Sequence, residues 1–194
     1  MKCADILRKN LSKQPIFSTH DVKKLLPSTS KEYVYLLLHN LLQKKEMYRI
    51  SSGIYSFHEE MIIVGFAYSP FYYGLQQALS IHGLWEQEVN PVVITPRKVR
   101  DGMRKFEGNN YFIRRVSRDM FFGYEMIKYS GFWVPVSDVE KTLIDMVYYR
   151  QYIGKELEKE FRKRVDSKKL CVYLKRVPKK YHPKIAKTIP FQLD

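Results

Sequence analysis

Residues 17–57 read FSTHDVKKLLPSTSKEYVYLLLHNLLQKKEMYRISSGIYSF. Ser18 and Asp21 have capping-box spacing: the serine oxygen can accept from a free N–H while the carboxylate reaches back. Val22, Leu25 and Leu26 supply an apolar face, and Pro27 stops the helix. Thr29 with Glu32 predicts a second capping box. Val34, Leu37, Leu38, Leu41 and Leu42 then follow at i, i+3, i+4, i+7, i+8, one stripe of an amphipathic helix. Met47 to Ile50 and Ile54 to Phe57 flank Ser51-Ser52-Gly53, which predicts a three-residue hairpin loop. Short helix, turn, longer helix and hairpin, in that order, read as a winged helix-turn-helix, whose second helix suits a DNA groove.

Before this stretch, Met1 to Leu11 reads as a helix with Ile6, Leu7 and Leu11 inward. After it, Met61 to Tyr68 is apolar on most sides and fits either a buried helix or a strand. Ser69-Pro70 predicts a helix start, and Gly83 its stop. Pro91 to Pro96, Tyr111 to Val116, Phe121 to Tyr129 and Phe132 to Val136 read as strands. Ser137 with Glu140 predicts a capping box opening a buried helix, whose apolar side is Leu143, Ile144, Val147 and Tyr148. Gly154 to Val165 reads as an exposed helix with Leu157, Phe161 and Val165 inward, supported by the i, i+4 pairs Glu158–Arg162 and Glu160–Arg164. A further short helix is expected around Leu170 to Val177, followed by a Pro-interrupted basic tail. The expected fold class is α+β: a winged helix-turn-helix over 1–57, then over 58–194 an α/β body with a basic helical C-terminal end.

The chain has 194 residues, of which 45% are hydrophobic, enough for a packed core. No apolar run of about 18 residues is present, so no membrane span is expected. The start MKCADILRKN has charge inside its apolar part and no cleavage site, so no signal peptide is read there. Cys3 and Cys171 lack metal-ligand spacing and suit a reducing cytoplasm. The formal charge of +14 is uneven. Residues 1–57 carry 10 basic and 4 acidic side chains, residues 58–150 carry 11 of each, and residues 151–194 carry 13 and 5. Two basic ends around a neutral middle exceed what solubility asks for and point to a polyanion.

With the leucines of the second helix inward, Lys31, Glu32, Tyr35, His39 and Gln43 face outward, and Ser28, Thr29 and Ser30 occupy the preceding turn. Small hydroxyls, a lysine and a tyrosine suit base-edge and phosphate contacts. Tyr48 and Ile50 point inward, leaving Arg49 outward beside Ser51 and Ser52 as the wing contact. The expected DNA-binding residues are therefore Ser28, Thr29, Ser30, Lys31, Tyr35, His39, Arg49, Ser51 and Ser52. His82 with Glu86 and Glu88 reads as a structural histidine, because the spacing crosses Gly83 and no second histidine is near. Lys141 and Asp145 read as an i+4 pair rather than acid–base machinery. No Walker loop, dinucleotide fingerprint or nucleophile elbow occurs, so neither catalytic residues nor a cofactor or metal is expected. The aromatic middle, including Tyr124, Tyr129 and Trp133, fits core packing, a partner surface or stacking on single-stranded bases.

SPFYYGLQQALSIHGLWEQ, VVITPRK, FFGYEMI and VPVSDVEKTLIDMV after a winged module resemble the AbiEi-type antitoxins of type IV (abortive-infection) toxin–antitoxin pairs. The resemblance covers about residues 17 to 150. It implies a cytoplasmic autorepressor that binds double-stranded operator DNA at inverted repeats. It also implies a body that neutralises a nucleotidyltransferase-type toxin. The rival expectation is a subunit of a nucleic-acid-processing enzyme that holds single strands on its aromatic body; a protein-interaction scaffold is a third.

Overall fold

The computed structural model describes residues 2–85 and 90–188 of the 194. It is a mixed α+β structure in two compact units, Met1–Ser69 with Lys105–Asn109, and Pro70–Arg104 with Asn110–Asp194. The expected boundary at 57/58 thus falls inside the first unit. The reason is the apolar segment Met61–Tyr68, a 3₁₀ helix that contacts the hairpin strand Tyr48–Ser51.

In the first unit the order is α1 (Cys3–Leu11), β1 (Phe17–Ser18), α2 (Thr19–Leu25), α3 (Lys31–Gln43), β2 (Tyr48–Ser51) and β3 (Ile54–Ser56). The strands form an antiparallel sheet in the order β1-β3-β2. Leu7 and Leu11 of α1, Val22 of α2, and Val34, Leu38 and Leu41 of α3 converge on Phe17, Met47 and Tyr55. The Ser18–Asp21 capping box is present: Ser18 Oγ accepts from the Asp21 N–H at 3.2 Å, and the Ser18 N–H donates to the Asp21 carboxylate at 2.8 Å. The Ser18 hydroxyl, which donates to the same carboxylate at 2.7 Å, and the Ser18 N–H together hold the Asp21 carboxyl below its ordinary range.

Two local expectations are corrected here. The cap of α3 is Ser30, whose Oγ accepts from the Tyr33 N–H at 3.2 Å, and not Thr29. The Thr29 N–H instead donates to the Leu26 carbonyl at 3.2 Å, closing the turn after α2. The hairpin loop is two residues, Ser52-Gly53, because Ser51 pairs with Ile54 after an irregularity between Arg49 and Ser51. Gly53 sits at φ +72°, a left-handed conformation that glycine adopts without strain.

A six-stranded mixed sheet, apart from Lys105–Asn109 at the ends of two of its strands, belongs to the second unit. Its strands are β4 (Tyr72–Tyr73), β5 (Val92–Thr95), β6 (Gly102–Phe106), β7 (Asn109–Arg115), β8 (Tyr124–Tyr129) and β9 (Phe132–Ser137), in the order β6-β7-β5-β4-β9-β8. Ser69-Pro70 does not open a helix. Tyr72 and Tyr73 form β4 instead, pairing antiparallel with β5 and parallel with β9, and the helix that follows, α4 (Gln76–Ile81), starts later. The chain turns between them through Leu75, at φ 54° and ψ −132°. That is a costly conformation for a branched residue, held by near-complete burial of its side chain.

Further α-helices follow in the unit: α5 (Val139–Tyr148), α6 (Lys155–Arg164), α7 (Ser167–Leu174) and α8 (His182–Thr188). α5 contacts α4, α6, α7, α8 and β9, so every residue from Glu140 to Val147 is buried, not one side alone. Its cap is Asp138, which accepts from the Lys141 N–H at 2.8 Å. Ser137 is displaced from that role because its hydroxyl bonds Thr142 Oγ1 at 2.8 Å. The tail expected to be Pro-interrupted is helical as α8, anchored by buried Ile185.

Candidate nucleic-acid interface

On α3 the inward stripe of Val34, Leu38 and Leu41 leaves the opposite face open. Lys31, Tyr35 and His39, spaced i, i+4, i+8, are all exposed, and Lys31 Nζ lies 5.9 Å from the Tyr35 ring centroid. Two large side chains that the sequence reading did not assign lie exposed on the same helix, Tyr33 at 46% and Leu36 at 55%. The phase of the helix, with Val34 and Leu38 inward, puts both outward. Glu32 also faces solvent. Its own backbone N–H and the Ser30 hydroxyl keep its carboxyl below the ordinary glutamate range, so it stays ionised.

The preceding turn is less open than expected. Ser28 and Ser30 are exposed, but the Ser30 hydroxyl is used as the cap and Thr29 is half-buried. In the hairpin, Arg49 is exposed while Ile50 is buried and Tyr48 half-buried, as the alternation predicts. Arg49 Nε donates to the Ser51 carbonyl at 3.4 Å, which lays the arginine along the strand end beside exposed Ser52. The loop is tied down: the Thr19 N–H donates to the Gly53 carbonyl at 3.0 Å.

The basic C-terminal end divides into paired and unpaired cations. Arg162 bonds Glu158 at 2.7 Å, Lys163 bonds Glu160 at 2.6 Å, and Arg164 lies 3.9 Å from Glu160. Arg164 also donates to the His82 carbonyl at 2.6 Å. Beyond them, residues 167–188 contain no acidic side chain. Lys175, Lys179, Lys180, Lys184 and Lys187 are exposed there, with no ion-pair partner among the described residues.

A second polar cluster lies around α5. The Lys141 ammonium donates to Asp145 Oδ1, and the Tyr72 hydroxyl donates to Asp145 Oδ2 at 2.9 Å, with Lys141 and Asp145 at 0% exposure. The ammonium also lies over the rings of Tyr72 at 5.4 Å and Phe122 at 5.1 Å. Burial raises the Asp145 carboxyl above its ordinary range, against the pull of Lys141 and Tyr72. Gly123, at φ +69°, is required beside this pair: a Cβ there would fall 2.9 Å from Lys141 Cβ and 2.9 Å from Tyr173 Cε2. At the mouth of the cluster, Lys169 bridges Asp138 and Glu140 at 3.0 Å each, and the Tyr173 hydroxyl donates to Asp138 at 2.7 Å. Burial and the Asp138 bond push Tyr173 up to about 12. Burial works against the charge of Lys169, but the bonds to Glu140 and Asp138 prevail and hold it above the ordinary lysine range.

Both groups therefore bind protons more tightly folded than unfolded. The stability they add is present below about pH 10 and is lost as pH rises toward their folded values. We expect the melting temperature to fall between about pH 10 and 12, and Tyr173→Phe to flatten that fall. Parallel curves for the variant and the parent would remove Tyr173 from the effect.

His82 Nε2 donates to the Ser137 carbonyl at 2.7 Å, a structural bond. Glu86 and Glu88, read with it, lie outside the described residues. Among the described residues no three of His, Cys, Asp or Glu come together to hold a metal ion. No helix among them is long and apolar enough to cross a membrane.

No family model and no curated protein matches the chain. Among solved structures, the crystal structure of the RV2827C protein from Mycobacterium tuberculosis is similar, with a TM-score of 0.67 at 9% identity, over 96% of this chain and 76% of that one. At that identity the likeness is one of fold.

Proposed function

We propose that the chain is a sequence-specific DNA-binding repressor of the AbiEi type, with residues 1–57 acting as a winged helix-turn-helix. The observation that carries this reading is the sequence α1-β1-α2-α3-β2-β3 with the sheet order β1-β3-β2, which leaves α3 with an open polar face. α3 is the recognition helix, with Lys31, Tyr35 and His39 toward the groove, and the Ser52-Gly53 loop is the wing that carries Arg49. The unpaired lysines from Lys175 to Lys187 form a second phosphate-binding surface.

The test is binding to the DNA upstream of the chain's own gene, followed by fluorescence anisotropy against a random duplex. Tyr35→Ala is expected to cost about 1–3 kcal/mol on the operator and little on random DNA, the mark of a lost base contact. Arg49→Ala should weaken both duplexes alike, as a phosphate contact does. If Tyr35→Ala leaves both affinities unchanged, α3 does not read DNA by this face.

The antitoxin part of the reading is supported by a different surface. β8 is an edge strand among the described residues; its Met126 is 54% exposed and Trp133 of the paired β9 is 60% exposed. Exposed aromatic and methionine side chains of this kind serve as anchors for a protein partner. The partner implied is a nucleotidyltransferase-type toxin encoded beside this gene. Co-expression is expected to restore growth with the parent chain and not with Met126→Ser/Trp133→Ser. The double variant should still bind the operator.

A further inference from the structure

In the second unit, one end of β5 and β7 opens into a cavity of about 310 Å³. Its apolar wall is Leu75, Val92 and Phe112, and its polar wall is Gln76, Asn90, Gln151 and Arg114. Among the described residues of that lining, Arg114 is the one charged side chain. Arg114 is half-buried, and among the described residues its side chain makes no hydrogen bond and no ion pair. A guanidinium lining a partly apolar cavity is stabilised by an anion that replaces the hydration it gives up.

The two glutamines are fixed. Gln76 Nε2 donates to Gln151 Oε1 at 3.0 Å, and Gln151 Nε2 donates to the Tyr149 carbonyl at 3.0 Å. Each amide nitrogen keeps a second N–H, so the polar wall offers donors beside the guanidinium. Gln76 follows Leu75, whose positive φ makes the turn from β4 into α4 at the cavity wall. Backbone strain of that sort recurs at ligand sites, and here it lies in the same lining as the Arg114 cation.

We propose that this cavity binds a small monocarboxylate with a flat or apolar body. The carboxylate takes the Arg114 fork in a bidentate pair, with the glutamine N–H groups as further donors. The apolar body lies against Leu75, Val92 and Phe112. A single guanidinium balances one negative charge, which favours a carboxylate over a phosphate dianion. The site lies wholly within the second unit and is independent of the DNA reading.

The probes are benzoate, neutral benzamide of the same shape, and inorganic phosphate, each titrated against the full chain by thermal shift and calorimetry. Benzoate is expected to raise the melting temperature by about 3–6 °C at ten times its Kd. Benzamide should give no shift, and phosphate a smaller one than benzoate. Arg114→Gln should abolish the benzoate shift, while Arg118→Gln, an exposed arginine outside the cavity, should retain it. Should Arg114→Gln fail to fold, Arg114→Lys decides: it keeps the charge without the fork and should bind benzoate about 10- to 100-fold more weakly. The proposal is overturned by no benzoate shift at millimolar concentration, by equal shifts with benzamide or phosphate, or by full benzoate affinity in the Arg114 variants.

Discussion

Asp145→Ala is expected to cost about 3–5 kcal/mol of folding stability, the largest single-residue effect in the chain. The size follows from what the substitution leaves behind. Lys141 is wholly buried, and its ammonium would retain only the faces of Tyr72 and Phe122. The Tyr72 hydroxyl would lose its acceptor in the same step. Removing one partner of a buried pair exposes the full desolvation cost of the other, whereas removing both need not. Lys141→Met/Asp145→Leu should therefore recover much of the loss, which denaturant melts of the two single variants and the double variant would establish. A double variant as unstable as the sum of the singles would show that shape, rather than charge, sets the cost.

Steep salt dependence is the second large effect expected. Each phosphate neutralised contributes about −0.9 to the slope of log K against log salt. A complex using α3, the wing and the unpaired lysines of the C-terminal end would make roughly six to ten such contacts. Its affinity would then fall by about 10³–10⁵ between 50 and 200 mM salt. Lys179→Gln/Lys180→Gln/Lys184→Gln should reduce the slope by about 2.7 if all three residues touch phosphate. A nearly flat salt dependence would remove the electrostatic basis of the DNA reading. An unchanged slope in the triple variant would confine DNA contact to other surfaces.

The parts of this fold that are legible in the sequence are those decided within a few residues. The Ser18–Asp21 box, the leucine stripe of α3 and the i, i+4 pairs of α6 are local, and they stand where their spacing puts them. The misreadings arise where a distant partner outbids a local signal. Ser69-Pro70 has the chemistry of a helix start, but Tyr72 and Tyr73 gain more by pairing with β5 and β9. Ser137 has capping-box spacing, but Thr142 engages its hydroxyl and Asp138 takes its place. β6, GMRKF, has no apolar–polar alternation that would mark it as a strand. On α3, Tyr33 and Leu36 show the limit of apolarity as a guide to burial. The cavity beside Arg114 was invisible for a further reason: its walls come from segments as far apart as Leu75 and Gln151.

If the hairpin meets DNA as proposed, the bond from the Thr19 N–H to the Gly53 carbonyl has a kinetic consequence. A hairpin tip left free would have to be frozen on contact, and each encounter would bear that entropy. Here the tip is clamped to the first residue of α2 before any ligand arrives, and Arg49 starts from a strand whose register is already set. Preorganisation of this kind lowers the cost of association. Breaking the clamp with Thr19→Pro, which removes the N–H at a position where proline suits the first turn of a helix, should shorten the lifetime of the complex more than it slows its formation.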